Sequence, residues 1–268
     1  MKRLVALLVV AATVAAVGLV TASAHTQRAA AVRVFRVALA GENETPAGDP
    51  VGTGSATIRA RAGQAKICYQ LVARDLSGRA VAAHIHRGGA GTAGPIMIPL
   101  KTPSAAGKAK GCAKASKALV RAILARPSRY YVNVHTRDFP GGAIRAQLAG
   151  KRAVLGTILH LDLKGTSEPN ATGTAVLRIR RTAGLICYRL RVANVTLPTA
   201  AAHIHKGAAG TNGPVVVPFE APGADGTSSG CATAMASVID DILANRSGYY
   251  VNVHTKEHPA GAIRAQLG

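Results

Sequence analysis

An all-β chain of two tandem Greek-key-like β-sandwich domains, each with one short helix and one disulfide, is predicted by three observations. The 268-residue sequence repeats itself without a gap from about Thr53 to Leu148, each position answering one 119 residues further on. Within each copy, apolar and polar residues alternate over short runs separated by Gly, Pro and Thr, the pattern of strands with one buried face. One pair of cysteines travels with each copy, Cys68 and Cys112 becoming Cys187 and Cys231.

Taken in order, the chain opens with Lys2 and Arg3, then an apolar run from Leu4 to Val20 broken only by Thr13 and Gly18. Ala22 and Ala24 fit the small-x-small pattern of a signal peptidase site, so residues 1–24 are expected to be a signal peptide and the mature protein to be secreted or extracytoplasmic. The alternative is an uncleaved anchor, and no second apolar run of spanning length follows. Cleavage after Ala24 would make His25 the mature N-terminus. Residues 25–32 are expected to be a linker, 33–149 the first domain and 150–268 the second.

The copies agree over long motifs. Ala82-Ala83-His84-Ile85-His86 recurs as Ala201-Ala202-His203-Ile204-His205, and Tyr130 to Thr136 recurs unchanged as Tyr249 to Thr255. Their opening segments differ, Gly41-Glu42-Asn43-Glu44-Thr45-Pro46 being answered loosely by Gly165-Thr166-Ser167-Glu168-Pro169. Leu177 and Ile179 alternate with Arg178 and Arg180, while Ile186, Tyr188, Leu190 and Val192 alternate with Cys187, Arg189 and Arg191. This predicts about seven or eight short strands per copy. Leu119, Val120, Ile123 and Leu124, matched by Val238, Ile239, Ile242 and Leu243, have helical spacing and predict one helix after the second cysteine of each copy. Gly88 to Gly94, ending at Pro95, reads as a loop.

Four cysteines permit three pairings. Each domain existed alone before duplication, so Cys68–Cys112 and Cys187–Cys231 are expected. Alternation puts Cys187 on the outer face, and Cys231 is expected to open the helix, so that the bridge pins helix to sheet. A bridge of this span contributes about 3–4 kcal/mol by constraining the unfolded chain. Thiolate metal sites usually use C-x-x-C spacing, which is absent.

Six of the nine histidines fall at matched positions: His84, His86 and His135, then His203, His205 and His254. On a strand, residues i and i+2 share a side, so His84 and His86 point one way and Ile85 enters the core. The same parity groups Asn133 with His135 and Arg145 with Gln147, and in the second copy Asn252 with His254 and Arg264 with Gln266. Two readings stand open. Three imidazoles on a rigid sheet suit Cu or Zn. Alternatively, the cluster hydrogen-bonds across strands and fixes the Gly88–Gly94 loop.

The sequence contains no Gly-x-Ser-x-Gly elbow, phosphate-binding Gly-Lys-Ser/Thr loop, His-Glu-x-x-His or dinucleotide fingerprint, so catalytic residues and an organic cofactor are not expected. Residues 25–150 carry 19 Lys/Arg against 5 Asp/Glu, and 151–268 carry 12 against 7. Outside a cell such a field favours anionic wall polymers, phospholipid headgroups or anionic polysaccharide. Nucleic acid is not expected, because aromatic side chains for stacking are nearly absent. Lys108, Lys110, Lys114, Lys117 and Arg121 form the densest basic run.

The Glu-Asn-Glu-Thr-Pro segment from Glu42, Ala83-His84-Ile85-His86 with its Gly-rich turn, Tyr131-Val132-Asn133-Val134-His135-Thr136 and Gly142-Ala143-Ile144-Arg145-Ala146-Gln147-Leu148 together resemble the CHRD (chordin) domain. The second copy resembles it equally except at Thr166-Ser167-Glu168-Pro169. The resemblance implies the fold and an exported protein, without assigning chemistry. The chain lacks the cysteine-rich modules of chordin, so growth-factor antagonism is not implied. A non-enzymatic binding or surface-interaction module directed to anionic partners is expected. The alternative is a Cu or Zn metalloprotein with one His-x-His plus His site per domain.

Overall fold

The computed structural model describes residues 32–150 and 153–268. The predicted signal peptide, its cleavage position, His25 and nearly all of the 25–32 linker lie outside the described residues. No helix among the described residues is long and apolar enough to cross a membrane.

The first repeat forms β1 (Val32–Ala40), β2 (Thr53–Arg61), β3 (Lys66–Arg74), β4 (Ala80–Arg87), β5 (Ile96–Leu100), β6 (Lys108–Lys114), α1 (Lys117–Ala125), β7 (Tyr130–Thr136) and β8 (Ile144–Gln147). The second forms the same series: β9 (Thr157–Gly165), β10 (Thr172–Arg180), β11 (Leu185–Ala193), β12 (Ala201–Lys206), β13 (Val215–Phe219), β14 (Thr227–Thr233), α2 (Ala236–Ala244), β15 (Tyr249–His254) and β16 (Ile263–Gln266). Strand order is β5-β4-β7-β8-β1-β2-β3-β6, repeated in the second domain.

The ladder is thin at one joint, where β1 meets β8 only through Ala40 and Arg145. Each sheet thereby divides into two four-stranded halves that face each other, with edge strands β5 and β6 lying close together. The domains are tandem and sandwich- or barrel-like. Alternation fills the space between the halves. Ile58 and Leu71 enter from one half and Ile85, Val132 and Ile144 from the other, all into one buried cluster. Val120 and Ile123, three residues apart on α1, complete that core. Ser116 caps α1 by accepting from Leu119 N at 3.1 Å.

Both disulfides join the expected partners, Cys68–Cys112 and Cys187–Cys231. Their setting differs from expectation. Cys231 does not open the helix; it lies within β14 directly opposite Cys187, and α2 begins only at Ala236. The bridge therefore staples an edge strand to its neighbour. The strand was hard to read because its inward positions are small: a Cβ on Gly111 would stand 2.8 Å from the Tyr69 hydroxyl. Tyr69 on β3 fills the volume that β6 would otherwise supply.

Candidate metal centre

Strands β4, β7 and β8 are neighbours, and their register aligns the predicted polar residues in rows. His84 faces Asn133, which faces Arg145; His86 faces Tyr131, which faces Gln147. In the second domain the rows are His203–Asn252–Arg264 and His205–Tyr250–Gln266. These side chains point away from the core that Ile85, Val132 and Val134 enter.

The predicted six-residue cluster divides into two tasks. Arg145 and Gln147 hold the glycine-rich loop: Arg145 donates to Gly89 O at 2.6 Å and Thr92 O at 3.1 Å, and Gln147 donates to Gly88 O at 3.0 Å. Arg264 and Gln266 bind the matching loop through Thr211 O, Ala208 O and Gly207 O. The Arg145 guanidinium also lies 3.3 Å over the Tyr131 ring, which stacks on His86 at 4.8 Å. This layered packing fixes the imidazole plane. Gly94 is needed for close approach, since a Cβ there would stand 1.8 Å from Arg87 O.

The histidines and Asn133 form the other part. One nitrogen from each of His84, His86 and His135 lies within 4.8 Å of the others, and the same holds for His203, His205 and His254. Backbone carbonyls fix which nitrogen is free. His86 Nδ1 is bonded to Gly94 O at 2.8 Å and His135 Nδ1 to Pro140 O at 2.9 Å. In the second domain His205 Nδ1 is bonded to Gly213 O and His254 Nδ1 to Pro259 O, both at 2.9 Å. A carbonyl accepts only, so the Nδ1 atoms of His86, His205 and His254 carry the proton and their Nε2 atoms present lone pairs, whereas His135 has an acceptor oxygen facing each of its ring nitrogens.

Those lone pairs are buried and largely unused. His203 Nδ1, His205 Nε2 and His254 Nε2 have no hydrogen-bond partner, nor does His86 Nε2. In the first domain His84 Nδ1 stands 3.2 Å from His135 Nε2, which is also 3.1 Å from Asn133 Oδ1. Burial, then the neighbouring imidazoles, pushes His84 down to about 4 and lowers His203 similarly in direction. Burial also lowers His86 and His254 against the pull of their carbonyl bonds. His84, His86, His203 and His254 therefore stay neutral in near-neutral solution.

The CHRD domain pattern matches this chain twice, over residues 35–148 and 160–267. The chain belongs to the CHRD domain family. No curated protein and no solved structure matches it.

The two CHRD domains are not identical at the site. In the first, Glu44 is buried against Gly142, its Oε1 lacks a partner, and burial raises its carboxyl to about 7 against the pull of Arg145 and Asn133. The sequence pairs Glu44 with Glu168, but the structure does not. Glu168 accepts from Thr196 N at 3.1 Å, the task Asp49 performs for Ser77 N at 2.6 Å. The shorter opening loop of the second domain brings its acid to the other position, and Asn252 packs against Gly261 instead. The carbonyls of Gly94 and Pro140, and the Tyr131 ring, were not among the predicted site residues. Their signal is that Gly94-Pro95, Pro140 and Tyr131 all recur in the second copy as Gly213-Pro214, Pro259 and Tyr250.

Proposed function

We propose that the chain is an extracytoplasmic, non-enzymatic binding protein in which each CHRD domain holds one Cu or Zn ion. His84, His86 and His135 are the ligands in the first domain, and His203, His205 and His254 in the second. The observation that carries this reading is the convergence of buried, unpartnered imidazole lone pairs whose opposite nitrogens are tied to backbone carbonyls. A carbonyl behind two of the three histidines in each domain, His86 and His135 in the first and His205 and His254 in the second, orients those rings, as at known metal sites. Tetrahedral Zn with nitrogen ligands separates them by about 3.3 Å, which the His84–His135 pair already approaches at 3.2 Å. Arg145, Gln147 and their counterparts hold the loop carbonyls rather than the ion. The disulfides suit an oxidising compartment outside the cytoplasm, where an exported metal-holding module would work.

The test is elemental analysis of untagged mature protein after dialysis against Cu or Zn. One equivalent per domain is expected. The variant with His84, His86, His203 and His205 all changed to Ala should take up none while keeping its native circular dichroism. His254→Gln alone should abolish loading of the second domain only. Failure of the native protein to retain either metal would overturn the reading.

A further inference from the structure

The outer faces of the two domains are built from the same strands, and only one is covered. In the second domain, Arg178 and Arg180 on β10 and Arg189 and Arg191 on β11 all reach groups of the first domain. Arg178 forks onto Glu42 at 2.7 and 3.0 Å, and Arg189 meets Asp49 at 3.3 Å and Asp75 O at 2.9 Å. This face is thus a receptor for carboxylates and carbonyls.

The equivalent face of the first domain carries Lys108, Lys110 and Lys114 on β6, Lys66 on β3, and Arg59 and Arg61 on β2. Register places all six on one side of the sheet around the Cys68–Cys112 bridge, because Lys114 faces Lys66, which faces Arg61, and Cys112 faces Cys68, which faces Arg59. No carboxylate lies within those rows, and among the described residues none of the six is in an ion pair. Lysines on an edge strand also guard against strand-to-strand aggregation. That role does not explain these, since the matching edge β14 has Thr227, Ser229 and Thr233 in their places.

We propose that this face binds a linear, carboxylate-bearing polysaccharide. A second copy of the chain is a poor occupant. The acidic end that would dock there is that of the second domain, where Thr166 stands in place of Glu42, and on the receiving face Gln70 stands in place of Arg189, so that Glu168, which answers Asp49, has no arginine to meet. The match made by Glu42 to Arg178 and by Asp49 to Arg189 is thus not repeated between copies, which leaves carboxylates from outside the chain as the fitting occupant. Lysine, a mobile point charge, reads the number and spacing of anions more than their orientation, which suits a flexible polymer. The face offers no exposed aromatic ring for stacking bases.

The test uses the full mature chain and an oligogalacturonate of about a dozen residues, with a phosphatidylglycerol vesicle and single-stranded DNA as comparison probes. The triple variant Lys108→Thr, Lys110→Ser, Lys114→Thr transplants the residues of β14, a strand that the same fold already accommodates. Expected is oligogalacturonate binding that weakens with salt and falls about tenfold in the triple variant, as three exposed charge contacts imply. A control, Arg87→Ser, Arg126→Asn, Arg129→Ser, removes as much charge away from these strands and should bind as the native chain does. Equal loss in both variants would reduce the effect to net charge and overturn the proposal. So would no binding, or binding to vesicle or DNA without oligogalacturonate.

Discussion

Glu44 is a carboxyl group in a place that disfavours its charge. Burial holds it at about 7, while the unfolded chain titrates near the ordinary 4.5, so the native state keeps a proton that the unfolded state has released. Stability from this group therefore declines as pH rises from about 4.5 to about 7, by at most about 3 kcal/mol. His84 acts with the opposite sign: depressed to about 4, it contributes stability that is lost as pH falls below its ordinary 6.5. Glu44→Gln separates the two, because the histidine contribution is common to both proteins. Urea midpoints measured from pH 5 to 8 should show the variant gaining on the native chain as pH rises. A constant difference would mean that Glu44 ionises normally. At this scale the sequence was readable wherever period-two parity decides direction, as for His84, His86, Asn133 and His135. It was not readable at Glu44 and Glu168, because opening loops of unequal length have no period that fixes which acid occupies which position.

The bridged edge strand carries the corresponding argument for elements. β6 is the last strand of its half-sheet, it has one full ladder neighbour, and its inward side chains are Ala109, Gly111 and Ala113. So little apolar surface gives weak hydrophobic attachment. The disulfide closes a loop with sequence separation 44 and is expected to contribute about 4 kcal/mol by restricting the unfolded chain. Changing Cys68 and Cys112 together to Ala should lower the stability of the first domain by about that amount. Hydrogen exchange should localise the loss, with β6 amides losing protection before those of β2 and β7. Uniform loss across the domain would mean that β6 is held as firmly by Tyr69 and its ladder as by sulfur. The strands with large alternating side chains and the helix with its three-and-four spacing were legible in advance. β6 and β14 were not, since their burial pattern is imposed by a tyrosine from the neighbouring strand.

Duplication was plain from the residues, whereas the docking of one copy on the other was not. Arg178 and Arg59 are matched positions with the same side chain, yet Arg178 is fully buried and Arg59 exposed. Only the fold decides between them, by bringing Glu42 to Arg178 and Asp49 and Asp75 to the arginines beside it. Arg178 also donates through Nε to Leu155 O at 2.6 Å, which ties the segment between the domains to the same guanidinium. A buried charge left without its partner costs about 3–5 kcal/mol. Glu42→Gln keeps the shape and removes the charge, so its main effect should fall on the contact between domains. Calorimetry of the native chain should show the domains unfolding together, and Glu42→Gln should split the transition while small-angle scattering reports a larger radius of gyration. Arg59→Gln, the matched but exposed position, should change stability by no more than about 0.5 kcal/mol. A charge-free replacement, Glu42→Leu with Arg178→Met and Arg180→Met, should restore much of the coupling, because apolar side chains of similar volume fill the same space without an unpaired ion. If Glu42→Gln left both the single transition and the radius unchanged, the domains would be coupled by something other than this ion pair.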